Sequence, residues 1–234
     1  MKVLSLFSGT GSFEEIFEEL GWEYYSVDKF LHSNKENCSK HYLEDILTWD
    51  YKKEFNIGDF DLITASPPCC FFSTQRNSWI GRKLKKHGDT IITKEILQQD
   101  LEQDGLPLLH KAREIIDYFK PKHYLIENPQ SGKMKKYITD LPYHDCDYCM
   151  YSDWGYRKRT RIWTNIPCLS LKLCNKNCGN MATADSHKIK VSGVHSNTTN
   201  KGHKVKVMPG GGSDRLDRFR IPYKLIRDIM INIV

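Results

Sequence analysis

Val3-Leu4-Ser5-Leu6-Phe7-Ser8-Gly9-Thr10-Gly11-Ser12 is the stretch on which the fold turns. Residues 3–7 are a short apolar run that reads as a buried strand, and a glycine turn follows it. A helix is expected to open at Ser12. Ser12 and Glu15 stand at the spacing of a capping box, Phe13, Ile16, Phe17 and Leu20 fall on one helical face, and Gly21 closes the element. A strand, a glycine turn and a helix in that order make the first unit of a parallel sheet. In such a sheet a ligand lies against the turn, at the carboxyl end of the strand.

The same alternation continues outward. Residues 22–27 are aromatic and β-branched and predict a second strand ending at Asp28, and Asp45-Ile46-Leu47 ends a further short element. Asp61-Leu62-Ile63-Thr64-Ala65 reads as a strand stopped sharply by Ser66-Pro67-Pro68. Residues 76–105 are polar and basic with little periodicity and read as a long loop, the kind that is usually functional or mobile. From Leu106 a helix is expected, with Leu109, Ala112, Ile116 and Phe119 on its buried side. Strands at Tyr124–Glu127 and Arg161–Thr164 and an amphipathic helix from Ile221 to Ile233 complete the pattern. Strands alternating with helices predict an α/β fold: a mainly parallel sheet with helices on both faces. Residues 168–215, rich in Asn, Lys, Gly, His and Cys, read as an irregular excursion.

Bulk properties narrow the class. The chain has 234 residues, enough for one α/β domain; 39% are hydrophobic and 27% charged, as in ordinary soluble proteins. No run is apolar for long enough to cross a bilayer, and the apolar start is too short for a signal peptide, so an intracellular, soluble protein without a membrane partner is expected. A formal charge of +6 and a pI near 8.8 suit a polyanionic partner without requiring one. In a reducing compartment the eight cysteines suggest ligation or catalysis before disulfides.

Four short constellations carry chemistry. The turn Phe7-Ser8-Gly9-Thr10-Gly11 lets a ligand approach the backbone, and Asp28, at the next strand end, is placed to accept hydrogen bonds from ribose hydroxyls. The bland alternative is a tight turn beside a surface carboxylate; the two together favour a nucleoside cofactor. In Ser66-Pro67-Pro68-Cys69 two prolines fix the backbone and present a thiol just past a strand, although a lone cysteine is more often a buried structural one. Glu127-Asn128-Pro129 puts a carboxyl group at another strand end, either a general acid or a surface residue. Arg157-Lys158-Arg159-Thr160-Arg161 is a basic turn or a solvated edge.

Taken in order, these motifs resemble the cytosine-C5 DNA methyltransferases, in the compact form carried by phages and other viruses. The likeness implies a Rossmann-like S-adenosylmethionine-dependent methyltransferase fold. It implies S-adenosylmethionine as cofactor, held by the loop Phe7-Ser8-Gly9 with Gly11, by Asp28 on the ribose, by Asp45-Ile46 at the adenine and by Pro67 beside the catalytic cysteine. It implies Cys69 as the nucleophile that adds to carbon 6 of cytosine, Glu127 at ring N3, and Arg159 and Arg161 as the Arg-x-Arg that grips the base at O2. Duplex DNA with a flipped cytosine is the implied substrate. Cys70 stands where the family usually has Gln, Pro129 for a common Val, and Arg157 for a common Gln.

Two regions lie outside those motifs. Residues 166–220 form a short Cys/His/Lys-rich segment where bacterial relatives carry a target-recognition domain, leaving 1–165 and 221–234 as the catalytic core and room for a protein partner in target recognition. The basic residues Arg76, Arg82, Lys83, Lys85 and Lys86 are expected to close over phosphates. Cys146-x-x-Cys149 has a zinc spacing to which Cys168, Cys174, Cys178 and His187 would add, but without a second clean Cys-x-x-Cys free thiols and no metal are the expectation. The competing functional readings are methylation of RNA, a catalytically silent cofactor-binding subunit, and a zinc-stabilised nucleic-acid-binding module.

Overall fold

Seven strands make one sheet in the computed structural model, which describes residues 1–30, 40–188 and 219–233. They are β1 (Lys2–Leu6), β2 (Glu23–Asp28), β3 (Lys40–Leu43), β4 (Leu62–Ala65), β5 (His123–Pro129), β6 (Tyr143–Asp147) and β7 (Arg159–Thr164), hydrogen-bonded in the order β3-β2-β1-β4-β5-β7-β6. The first five run parallel. β7 is antiparallel to both β5 and β6, so one edge closes with two strands the sequence pattern does not orient.

Strand alternation divides the core in two. Leu4 and Leu6 of β1, Ile63 and Ala65 of β4, Ile126 of β5 and Trp163 of β7 face one side. There they meet Leu109, Ala112, Ile115 and Phe119 of α4 (Leu106–Phe119) and the aromatic cluster Trp49, Tyr51, Phe55 and Phe60 around the short α2 (Tyr51–Glu54). Val3, Leu62, Leu125 and Ile162 face the other side, against Ile16 and Phe17 of α1 (Glu14–Glu19) and Leu225, Ile226, Ile229 and Met230 of α5 (Tyr223–Met230). Each fully buried side chain of this kind contributes about 1.5–3 kcal/mol relative to exposure. The fold is the Rossmann-like arrangement expected from the sequence: helices cover both faces of a mainly parallel sheet. β1 has β2 on one side and β4 on the other, so the turns that follow β1 and β4 diverge and leave a crevice at the carboxyl end of the sheet.

Three local expectations need correction. Ser12 and Glu15 do not form a capping box: α1 begins at Glu14 with no side-chain cap. Ser12 Oγ instead accepts the Ile221 N–H at 3.2 Å, tying the start of the last helix to the glycine turn. Residues 76–105 are not one long loop; they hold α3 (Lys94–Asp100) and a π-helical turn, Leu101–Gly105, that runs into α4. Arg76 of that region points inward, is 7% exposed, and is bonded to the equally buried Asp100. Lys86 reaches Asp100 at 3.0 Å and Asp104 at 2.6 Å, and His87 Nε2 lies 3.2 Å from Asp100. A buried carboxylate has gathered the cations that the sequence pattern assigns to phosphates, because leaving either partner buried and unpaired costs more than the pair gains. Of the excursion at 166–220, residues 189–218 lie outside the described residues.

Candidate active site

A cavity of about 490 Å³ opens where the turns after β1, β2, β4 and β5 converge. That volume is within the range of small-molecule sites. Phe7, Ser8, Gly9, Asp28, Asp45 and Ile46 line one half; Pro67, Cys69, Cys70, Phe71, Glu127 and Lys158 line the other, with Ile221 at its wall.

The first half is built on the glycine turn. Gly9 has φ +49°, and Phe7 is itself left-handed at φ 58°, a conformation that costs a non-glycine residue about 1–3 kcal/mol and persists only where the surroundings impose it. The imposition is visible: Ser8 N–H donates to Val27 O at 3.2 Å and Gly11 N–H to Ser8 O at 2.9 Å. Gly11 thus closes the turn from behind and is not among the lining residues. Asp28 accepts the Gly9 N–H on one oxygen and the Phe30 N–H on the other, both at 2.8 Å. Its carboxylate is oriented by the backbone, and each oxygen keeps a lone pair for a hydroxyl. Asp45 accepts from Lys29 at 2.9 Å and from Leu47 N–H at 3.0 Å, which together hold its carboxyl below the usual carboxylate range. Ser8 Oγ and Ser66 Oγ are buried without a hydrogen-bond partner among the described residues, as polar atoms waiting for a ligand would be.

The second half is built on the ends of β4 and β5. Ser66 N–H donates to Leu6 O at 3.2 Å, and the buried Asn128 side chain donates to Pro67 O at 2.9 Å. β5 thereby holds the Pro-Pro-Cys turn. Phe72 N–H returns to Cys69 O at 3.1 Å. Behind the turn, Gly105 leaves no room for a side chain: a Cβ there would stand 2.7 Å from Phe71 Cβ. Cys69 is half-buried and Cys70 exposed. Burial pushes the Cys69 thiol above its ordinary pKa; the charge of Lys158 pulls it back, while Glu127 and Cys70 push it further up. Glu127, 6% exposed, accepts a hydrogen bond from the Tyr148 hydroxyl at 3.0 Å on one carboxyl oxygen. Burial raises the Tyr148 phenol well above its usual value, so it remains a donor, and among the described residues no hydrogen bond engages the second carboxyl oxygen of Glu127.

Arg159 and Arg161 stand one strand away and are not among the lining residues. Register explains this. Glu127 is paired with Ile162, and Arg161 with Asn128, so the arginines project from the opposite face of the ladder. There Arg159 makes a bidentate pair with the fully buried Asp147 (3.0 and 2.8 Å), and Arg161 one with Asp145 (2.7 and 2.9 Å) over the Tyr143 ring. Of the basic turn 157–161 it is Lys158 that lines the cavity, and its Nζ also lies 4.7 Å from the centre of the Tyr148 ring. Neither Lys158 nor Tyr148 is singled out by the sequence pattern. Strand alternation around Arg159 and Arg161 puts Lys158 on the other face, but which face meets the carboxyl group depends on a strand pairing the sequence does not state.

The chain is similar to known proteins. A family model described as C-5 cytosine-specific DNA methylase matches residues 1–136. A protein of Frog virus 3 (isolate Goorha), named "Probable DNA (cytosine-5)-methyltransferase", is 40% identical over 233 residues, covering 98% of this chain and 99% of the viral one. Among solved structures, one described as an E. coli prophage-encoded DNA modification methyltransferase aligns over 70% of this chain at 17% identity with a TM-score of 0.43. The chain spans about half of that protein, 46% of its length. On the family match and the near full-length relative, the chain belongs to the C-5 cytosine-specific DNA methylase family.

Proposed function

We propose that the chain transfers a methyl group from S-adenosylmethionine to carbon 5 of cytosine in DNA, through a covalent bond between Cys69 and carbon 6. The observation that carries this reading is the single cavity in which Asp28 and Asp45 stand at one end and Cys69 and Glu127 at the other. The first end suits the cofactor. Asp28 would hold the ribose, Asp45 and Ile46 the adenine edge, and the unpartnered Ser8 and Ser66 hydroxyls fit further polar groups. When bound, S-adenosylmethionine supplies an electrophilic methyl carbon.

The chain's own residues do the rest. Carbon 5 of cytosine is a weak nucleophile until carbon 6 is attacked. The Cys69 sulfur adds there as thiolate, and the electron pair of the C5–C6 bond is released toward C5 and ring N3. Glu127 holds a proton at N3, so negative charge does not build up on the base, and Tyr148 fixes which oxygen faces it. Lys158 favours the thiolate electrostatically. After methyl transfer, loss of the C5 proton and departure of Cys69 sulfur restore the ring. A paired cytosine hides carbon 6, so the base must leave the stack of a duplex. Arg159 and Arg161, held by Asp147 and Asp145 beside the cavity, would brace the base or its flanking backbone from the next strand.

The division into a core of 1–165 and 221–234 with a short segment between fits the packing of Ile221 and α5 beside α1. Incubation with radiolabelled methyl donor and DNA or RNA, followed by mapping of modified cytosines, tests the activity. Label in 5-methylcytosine of DNA supports the reading; label confined to RNA, or none, overturns it.

A further inference from the structure

We propose that Cys149, Cys174, Cys178 and His187 bind one structural zinc ion, which fastens the segment after β7 to the catalytic sheet. The four ligand atoms lie within 4.8 Å of one another. Cys174 Sγ is 3.6 Å from Cys178 Sγ and 3.6 Å from His187 Nε2, and Cys178 Sγ is 3.3 Å from the same nitrogen. A tetrahedral zinc with bonds of about 2.3 Å to sulfur and about 2.0 Å to nitrogen has sulfur–sulfur edges of about 3.8 Å and sulfur–nitrogen edges of about 3.5 Å. The side chains already stand near those corners. Three sulfurs and one imidazole in a closed tetrahedral set select zinc among the common divalent ions.

The ligands differ from those that sequence spacing offers. Cys146 is on β6 and packs into the core behind α5; Cys168 is exposed and apart from the group. Only Cys149, in the turn Tyr148–Met150 after β6, comes from the core, and the other three come from the segment that follows β7.

That segment needs such a fastening. Between Ser170 and Lys188 only Cys174 and Asn180 are buried, too little apolar surface to hold nineteen residues in one conformation. What holds it is polar and centred on the same ligands. Asn180 donates to Cys149 O at 2.9 Å and to Ser152 O at 2.7 Å, and accepts the Gly155 N–H at 2.9 Å. Cys174 N–H donates to Asp147 Oδ2 at 2.8 Å, the carboxylate that also holds Arg157 and Arg159. The bound metal would therefore set the segment against the arginine pair, on the ladder face opposite Glu127.

The test is direct. Chain purified under reducing conditions should contain one zinc per molecule. After the zinc is removed, Co(II) titrated into the protein should give tetrahedral ligand-field bands and thiolate-to-cobalt charge transfer that saturate at one equivalent and vanish on adding zinc. Cys168→Ser should keep both signals. Cys178→Ser should weaken metal binding by more than the ~10–100-fold that loss of an outer-shell partner costs. The wild-type cobalt spectrum decides the matter even if that variant does not fold. Zinc far below one equivalent with no tetrahedral cobalt spectrum, loss of the signals in Cys168→Ser, unchanged binding in a folded Cys178→Ser, or a Cys174–Cys178 disulfide in reduced preparations would each overturn the proposal.

Discussion

Cys69 sits in a place that opposes its own ionisation. Burial raises its pKa and Glu127 adds to the rise, so the thiolate fraction grows as pH climbs toward that elevated value, and Lys158 is the group that works in the other direction. Lys158→Met should therefore shift the pH profile of Cys69 alkylation by iodoacetamide to higher pH and slow it at neutral pH by ~3–10-fold, since one pKa unit is tenfold in thiolate below the pKa. A profile unchanged from wild type would contradict the role given to Lys158. Tyr148→Phe removes the hydroxyl that orients Glu127 and leaves the ring in place. Hydrogen bonds to charged groups contribute about 1.5–3 kcal/mol, so kcat should fall ~10–100-fold while cofactor affinity holds. An equal loss of cofactor affinity would point to general damage instead. At this scale the glycine turn, Asp28, Cys69 and Glu127 were readable because each sits at a strand end marked by Gly, Pro or an abrupt change of hydropathy. Tyr148 carries no such mark: its hydroxyl meets Glu127 across 21 residues of chain.

Among the elements, the least expected are those whose residues pair with each other rather than with the core. β6, Tyr143-His144-Asp145-Cys146-Asp147, does not read as a strand because its carboxylates occupy one face. They are there to meet Arg161 and Arg159 of β7. The direction of β7 is likewise hidden, since hydrophobic alternation is the same in parallel and antiparallel strands. α3 is similar: its C-terminal Asp100 is spent on Arg76, Lys86 and His87, so the region looks like a basic loop until the ion pairs are known. Asp100→Asn would leave Arg76 buried beside a neutral amide. Removing one partner of such a pair costs about 3–5 kcal/mol, and the variant should unfold at correspondingly lower urea. The pH dependence follows. Burial raises the Asp100 pKa, but Lys86 and Arg76 outweigh it, and the net value lies below normal. Its stabilisation is present above the unfolded-state pKa and lost as pH falls through the folded value. Wild-type and Asp100→Asn stabilities should therefore converge in acid; a gap that persists there would exclude the pair as the cause.

For the whole molecule, the sheet order puts the turns after β1, β2, β4 and β5 around one crevice, and the positive charge must lie where DNA can reach it. Arg76 and Lys86 are committed to Asp100, but Lys83 and Lys85 are exposed on the same stretch, and among the described residues Lys83 has only a 3.5 Å pair with the fully exposed Asp89. Replacing Lys83 and Lys85 with Gln should weaken DNA binding and flatten its salt dependence by ~0.9 slope units per lost phosphate contact. An unaltered slope would place the DNA elsewhere on the surface. The family was legible from motif order alone, whereas the fastening of residues 170–188 was not, because Cys149 joins Cys174, Cys178 and His187 only once β6 and β7 have paired. The proposed methyl transfer requires one bond above all, between the Cys69 sulfur and carbon 6 of a cytosine. DNA carrying 5-fluorocytosine, incubated with the chain and S-adenosylmethionine, should yield a complex that survives denaturation, because fluorine at carbon 5 blocks the final elimination. Peptide mapping of that complex should find the cross-link at Cys69, and Cys69→Ser should form none while Cys70→Gln still does. A cross-link at Cys70, or no complex from an enzyme that methylates unmodified DNA, would contradict it.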